Sequence, residues 1–239
     1  MPPVVCLGVS ASPVWAARQD GRVRIGTWNL EGRWTSGHAE LLLAQDCGVW
    51  LLTEVHEDTR LPGFARHVTT ARMGSRKYWA GICTRGSLQP LPDPHPASAA
   101  TTFAGVVWCS SILPWRSCDD SIWGSGSTAE KTARAVGQLM DSLPSEDLVW
   151  GGDWNHAMTG REYVGSVSGR AAIQDALTDR RLQLATQHAP HRIRGLHTID
   201  HIAVPQTASV LGTHRVVGED DRGNRLSDHD AYTAEIALS

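Results

Sequence analysis

Leu148-Val149-Trp150-Gly151-Gly152-Asp153-Trp154-Asn155 is an apolar run that stops on two glycines, then delivers a carboxylate and a carboxamide two residues apart. Runs of this length and character make buried strands. The glycines permit close backbone approach and unusual dihedrals, so Asp153 and Asn155 can project side by side into a cleft. Taken alone, the motif also reads as an Asx-type turn after a strand. Four further stretches share its construction. Thr27-Trp28-Asn29-Leu30 lies near the start and Leu51-Leu52-Thr53-Glu54 follows it; Ile199-Asp200-His201-Ile202 and Ser227-Asp228-His229-Asp230 come later. Five strand ends thus each deliver carboxylate, carboxamide or imidazole. Oxygen donors gathered in this way suit a hard divalent cation, with a histidine left for proton chemistry.

Outward from these motifs, strand-like runs occur at 23–30, 49–54, 79–84, 103–112, 148–152, 198–204, 214–217 and 231–237. Ser127-Thr128-Ala129-Glu130 forms a capping box that opens a helix, and Pro144 stops it. Further helices are expected over 170–181 and 38–46. Pro90, Pro92, Pro94 and Pro96 mark one long irregular loop. Strands with interspersed helices indicate a layered α/β domain, and the pattern alone leaves the number of sheets open.

In this order the five motifs resemble those of the endonuclease/exonuclease/phosphatase superfamily, the Mg²⁺-dependent phosphodiesterases and phosphatases typified by DNase I and the exonuclease III-type repair nucleases. The resemblance runs from about Val23 to about Ile236, with agreement confined to the motifs and one helix. It implies a DNase I-like α/β sandwich of two mixed β-sheets flanked by helices, with the site at one open edge. It also implies Mg²⁺, replaceable by Mn²⁺, near Glu54, Asn29, Glu31 and Asp228. By the same resemblance Asp153 orients or deprotonates the attacking water, Asn155 hydrogen-bonds a phosphate oxygen, and Asp200 pairs with His229 as the acid–base group. Trp154 stands where the family carries phenylalanine. One departure lies in the middle strand, where Ser110 takes the place expected of a histidine or tyrosine that donates to the phosphate. A hydroxyl can donate a hydrogen bond but shuttles no proton at neutral pH.

With 239 residues, 41% of them hydrophobic, the chain can bury a large core. It reads as an irregular tail over 1–21 and a single domain over 22–239. No stretch approaches the roughly 18 apolar residues of a membrane span, and no Lys or Arg precedes the apolar Val4–Val9 run as a secretory signal requires. Five cysteines, an odd count without a C-x-x-C, point to reduced, buried thiols and a cytoplasmic protein.

The net charge of −3 argues against coating nucleic acid through bulk charge. A local patch can still serve. Residues 60–77 carry Arg60, Arg66, Arg72, Arg76 and Lys77 with no acid among them, and Arg72, Arg76 and Lys77 are read as phosphate contacts. Trp28, Trp50, Trp108, Trp150 and Trp154 lie in or beside strands and read as core. Trp15, Trp34, Trp115 and Trp123 fall in loops, where an indole can stack on a base, although packing is the plainer reading. The expectation is a monomeric nuclease acting on DNA or RNA. The alternatives are a hydrolase of small phosphate esters and a non-catalytic relative that binds phosphates.

Overall fold

The computed structural model describes residues 21–237, so the expected tail falls outside it but for Gly21. The first third holds β1 (Arg22–Asn29), α1 (Ser36–Ala44), β2 (Val49–His56), β3 (Ala65–Val68), β4 (Arg72–Gly74) and β5 (Lys77–Thr84). Next come β6 (Gln89–Pro90), β7 (Ser98–Phe103), β8 (Val106–Ile112), α2 (Thr128–Ser142) and β9 (Leu148–Asp153). The chain closes with α3 (Val167–Asp179), β10 (Leu182–Leu184), β11 (Asp200–Pro205), β12 (Ser209–Val216) and β13 (Ala231–Ala237). They form two mixed sheets, ordered β12-β13-β1-β2-β5-β3 with β4 beside β5, and β10-β11-β9-β8-β7-β6. Both contain one parallel pair, β1 with β2 and β8 with β9.

Three apolar clusters define the layers. Ile25, Val49, Leu51, Ile82 and Ala234 of the first sheet meet Trp108, Val149, Ile202 and Val204 of the second. The other face of the second sheet, with Trp150 and Cys109, is covered by Val136 and Leu139 of α2 and Ile173 and Leu177 of α3. Leu42 of α1 covers Trp50 and Leu52 on the outer face of the first sheet. The result is an α/β sandwich of the DNase I type, helices outside and strand ends aligned along one edge. All five strand-associated tryptophans expected in the core are fully or almost fully buried, and the loop residue Trp123 joins them.

The capping box on α2 forms as read, with Ser127 accepting from the Glu130 N–H. Two expectations need correction. The run at 103–112 is broken by a tight turn at Ala104 and Gly105, both at positive φ, into the antiparallel hairpin of β7 and β8. Such a turn suits the twist of a hairpin; its short Ala-Gly signal is hidden between apolar residues. Helix α3 begins at Val167, three residues before the expected start, because Ser166 caps it by accepting from the Gly169 N–H. Among the described residues no helix is long and apolar enough to cross a membrane.

Candidate active site

The strand ends bring Asn29, Glu54, Asp153, Asp200 and His229 together. Gly151 and Gly152 make this possible, since β9 is pressed between its neighbours. A Cβ on Gly152 would lie 2.1 Å from the Ser111 carbonyl oxygen, and one on Gly151 would lie 2.5 Å from that of His201. Asp153 and Asp200 are direct register partners across β9 and β11, so their carboxylates emerge next to each other. Glu54 and Asn155 both adopt the left-handed backbone region, φ 49° and 51°. That conformation costs a non-glycine residue roughly 1–2 kcal/mol and is held here by the surrounding structure.

One amide ties the two sheets at this edge. The Asn29 Nδ2 donates to Glu54 Oε1 at 3.2 Å and to Asp153 Oδ2 at 3.0 Å. Asp153 Oδ1 accepts from the Asn155 N–H at 3.0 Å, and the Asn155 side chain donates to the Leu113 carbonyl. Lys77 Nζ lies 2.6 Å from Glu54 Oε2. His229 Nδ1 lies 2.8 Å from Asp200 Oδ2, and its Nε2 lies 3.9 Å from Asp153 Oδ2. The turn carrying His229 is fixed by Ser227, whose hydroxyl donates to the Asn29 carbonyl and accepts from the His229 N–H. Trp28 Nε1 donates to the His229 carbonyl.

The electrostatics raise both titrating groups. Burial alone would lower His229, but the carboxylates of Asp200 and Asp153 outweigh it and raise the ring to about 10. Burial lifts Asp153 well above the ordinary carboxylate range; His229 pulls it part-way back and Asp200 adds to the rise. The arrangement therefore offers an imidazolium donor facing a carboxyl with raised proton affinity. Donor atoms of Asp153, Asp200 and His229 lie within 4.8 Å of one another. The pocket above them, about 180 Å³, is lined by Glu54, Ile112, Trp115, Asp153, Asn155 and His229.

Several expected roles change. Ser110 is fully buried and donates to the Leu52 carbonyl between the sheets, so it faces no substrate. Ile112, two residues further on, lines the pocket in its place. Asn29 and Glu31 already use their oxygens within the protein. Asn29 Oδ1 accepts from the Glu31 N–H, while Glu31 accepts from Arg33 and from the Asp228 N–H. Asp228 stays exposed at the rim, 4.0 Å from His229 Nε2. Arg72 and Arg76 are held by acids just outside the basic window, both pairing with Glu57 and Arg76 also with Asp58. The strip is neutralised where it was expected to be free.

Sequence reasoning also missed the support behind the histidine turn. Asp230 is buried, accepts from Arg215, Arg225 and the Gly218 N–H, and Arg225 reaches the Ser227 and His229 carbonyls. An acid set directly before an apolar strand, five residues after Arg225, was the available signal. Oxygen donors from Glu54 and Asp153, bridged by the Asn29 amide, suit a hard divalent cation. Glu54, linked to Asp153 through the Asn29 amide, already carries Lys77 as partial counter-charge.

No family model and no curated protein matches the sequence. Solved structures do match the fold. An AP endonuclease from Archaeoglobus fulgidus is 14% identical, with 89% of this chain and 98% of that one covered and a TM-score of 0.66. The endonuclease domain of TRAS1, a telomere-specific non-LTR retrotransposon, is 16% identical over 91% and 99%, with a TM-score of 0.63. An endonuclease/exonuclease/phosphatase from Beutenbergia cavernae DSM 12333 is 16% identical over 91% and 72%, with a TM-score of 0.61. The chain thus has the fold of the endonuclease/exonuclease/phosphatase proteins.

Proposed function

We propose that the protein is a divalent-metal-dependent phosphoesterase, and specifically a nuclease that hydrolyses phosphodiester bonds. The Asp200–His229–Asp153 constellation carries this reading, because it sets an oriented imidazolium donor and a carboxyl of raised proton affinity at one mouth. His229, oriented through Nδ1 by Asp200, donates from Nε2 to a phosphoryl oxygen. Asp153 takes the proton of the attacking water, and the Asn29 amide and Asn155 N–H fix its two oxygens. Asn155, on the pocket wall, contacts the phosphate. Glu54 and Asp228 would hold Mg²⁺ or Mn²⁺, which would supply charge neutralisation on the phosphoryl oxygens.

The fold shared with an AP endonuclease and a retrotransposon endonuclease domain supports nucleic acid as the substrate. The neutralised Arg72 and Arg76 favour a second reading, a hydrolase of small phosphodiesters or phosphate monoesters. Supercoiled plasmid, single-stranded DNA, RNA and a small phosphodiester, each incubated with Mg²⁺ and with EDTA, decide between them. Metal-dependent cleavage of a nucleic acid is expected. Cleavage of the small ester alone would establish the second reading, and no hydrolysis of any substrate would overturn both.

A further inference from the structure

Beside the catalytic pocket lies a larger cavity of about 330 Å³, lined by Trp115, Arg116, Asn155, Tyr163, Val164 and Gly165 among others. Trp115 and Asn155 line both spaces, so one opens directly onto the other. At about 180 Å³ the catalytic pocket is smaller than typical ligand sites, which run to roughly 300–1,000 Å³. It accommodates a phosphoryl group and little more. The neighbouring cavity falls inside that range, and selection of the substrate beyond its phosphate belongs there.

The walls of this cavity are held in place. The Trp115 ring is half-buried beside Trp79, with centroids 6.4 Å apart. Its carbonyl accepts from the Cys118 N–H. Buried Lys131 then pins that loop, donating to the Cys118 and Asp119 carbonyls and pairing with Asp120 at 2.7 Å. Across the cavity, the Tyr163 hydroxyl donates to the His197 carbonyl at 2.8 Å, and its ring lies against His191. Gly165, at φ 76°, presses this wall onto His156, where a Cβ would lie 2.4 Å from the ring. Arg116 is exposed and has no carboxylate partner among the described residues, unlike Arg72 and Arg76.

Two aromatic side chains, an unpaired guanidinium and a carboxamide at the shared mouth make a chemistry that fits a nucleotide. Aromatic faces take bases regardless of sequence, and a guanidinium takes backbone phosphate. The geometry points to a base-binding subsite: the nucleotide next to the scissile phosphodiester places its base against Trp115 and Tyr163, with Arg116 on the adjoining backbone. This rests on the phosphodiesterase reading above and narrows it. A base in the cavity has left its stack and its partner, which costs energy in a duplex and little in a single strand. The substrate class is single-stranded nucleic acid or a short oligonucleotide.

The dinucleotide thymidylyl-(3′→5′)-thymidine has one phosphodiester, so the cleaved bond is fixed. Its hydrolysis is compared with that of two analogues lacking the base on the 5′ or the 3′ side, for wild type, Trp115→Ala and Trp115→Phe. In wild type, removing the base on one side lowers kcat/KM by about 5- to 150-fold, the range a base–aromatic stack carries. Trp115→Ala collapses that difference, and Trp115→Phe keeps most of it. Equal rates on all three dinucleotides in wild type, or an undiminished difference in Trp115→Ala, would overturn the subsite. A binding measurement separates this from failure of the enzymatic reading. A 2-aminopurine dinucleotide titrated with His229→Ala protein in Mg²⁺ is quenched on stacking, and Trp115→Ala on that background removes the quench. If wild type hydrolyses nothing yet the quench and its loss are seen, the subsite stands and the nuclease reading falls; absence of the quench refutes the subsite.

Discussion

Replacing Asp200 with Asn tests whether Asp200 and His229 act as one unit. In the native site the 2.8 Å contact places the Nδ1–H of the ring on Asp200 Oδ2, leaving Nε2 for the substrate. Asp200 Oδ1 is buried without a hydrogen-bond partner. An asparagine can keep its oxygen on the ring, but its amide group is then buried where nothing accepts its protons. Turned the other way, it donates to Nδ1, and the ring is held in the wrong tautomer. Either way the negative charge is gone. The rise of His229 from 6.5 to about 10 is the net of burial, which lowers the ring, and of the charges of Asp200, Asp153 and Asp228, which outweigh it. Asp200 supplies the largest of the raising charges, so Asp200→Asn is expected to cost roughly 10²–10⁴-fold, the range of the positioned acid–base group that it serves. His229→Ala is expected to cost roughly 10²–10⁴-fold, as for a positioned acid–base group. Since Asp200 works only through the ring, the double mutant should be little worse than His229→Ala alone. Steady-state rates of the four proteins on a small phosphodiester at saturating Mg²⁺ measure this. Losses that simply multiply would mean that the two residues act independently, and the dyad would not be the catalytic unit.

Glu54→Gln should raise the Mg²⁺ concentration needed for activity and leave the circular dichroism spectrum intact; unchanged metal dependence would take Glu54 out of the site. Lys77→Met, by contrast, removes a cation 2.6 Å from Glu54 Oε2 and should tighten Mn²⁺ binding in calorimetry by tenfold or more, whereas weaker binding would mean that Lys77 supports the ligand geometry. Neutralising the acids in Glu57→Gln/Asp58→Asn frees Arg72 and Arg76, so affinity for long DNA should rise and fall more steeply with salt. No change in either would show that this face does not meet the polymer. Acid should unfold the protein through His38, His95 and His201, which burial lowers from 6.5 to about 4. Between pH 6.5 and 4 the unfolded chain binds protons that these rings in the fold do not. Stability is therefore full above 6.5 and falls toward 4, by up to about 3 kcal/mol for each ring. Urea midpoints that stay level across that window would contradict the burial of neutral imidazoles.

The residues legible in the sequence were those whose chemistry conflicted with their surroundings. A carboxylate that follows an apolar run, as Glu54 and Asp153 do, has no reason to be there unless that position is used, and two glycines before Asp153 announce a backbone that must come close to its neighbours. Residues whose part depends on register were not legible. Ser110 and Ile112 share one face of β8, and which of them reaches the pocket depends on where the hairpin at Ala104 and Gly105 begins the strand. Arg76 looked free because its partner Glu57 lies 19 residues away, across the pairing of β2 with β5. Asp230 meets Arg215 across β12 and β13 in the same manner. Local sequence records what a side chain can do, and strand pairing decides what it meets. For that reason the residues that gather at the candidate site could be named from five short motifs. The cavity beside them could not, because Trp115 and Tyr163, which both line it, come from loops 48 residues apart in the chain, with α2 and β9 between them.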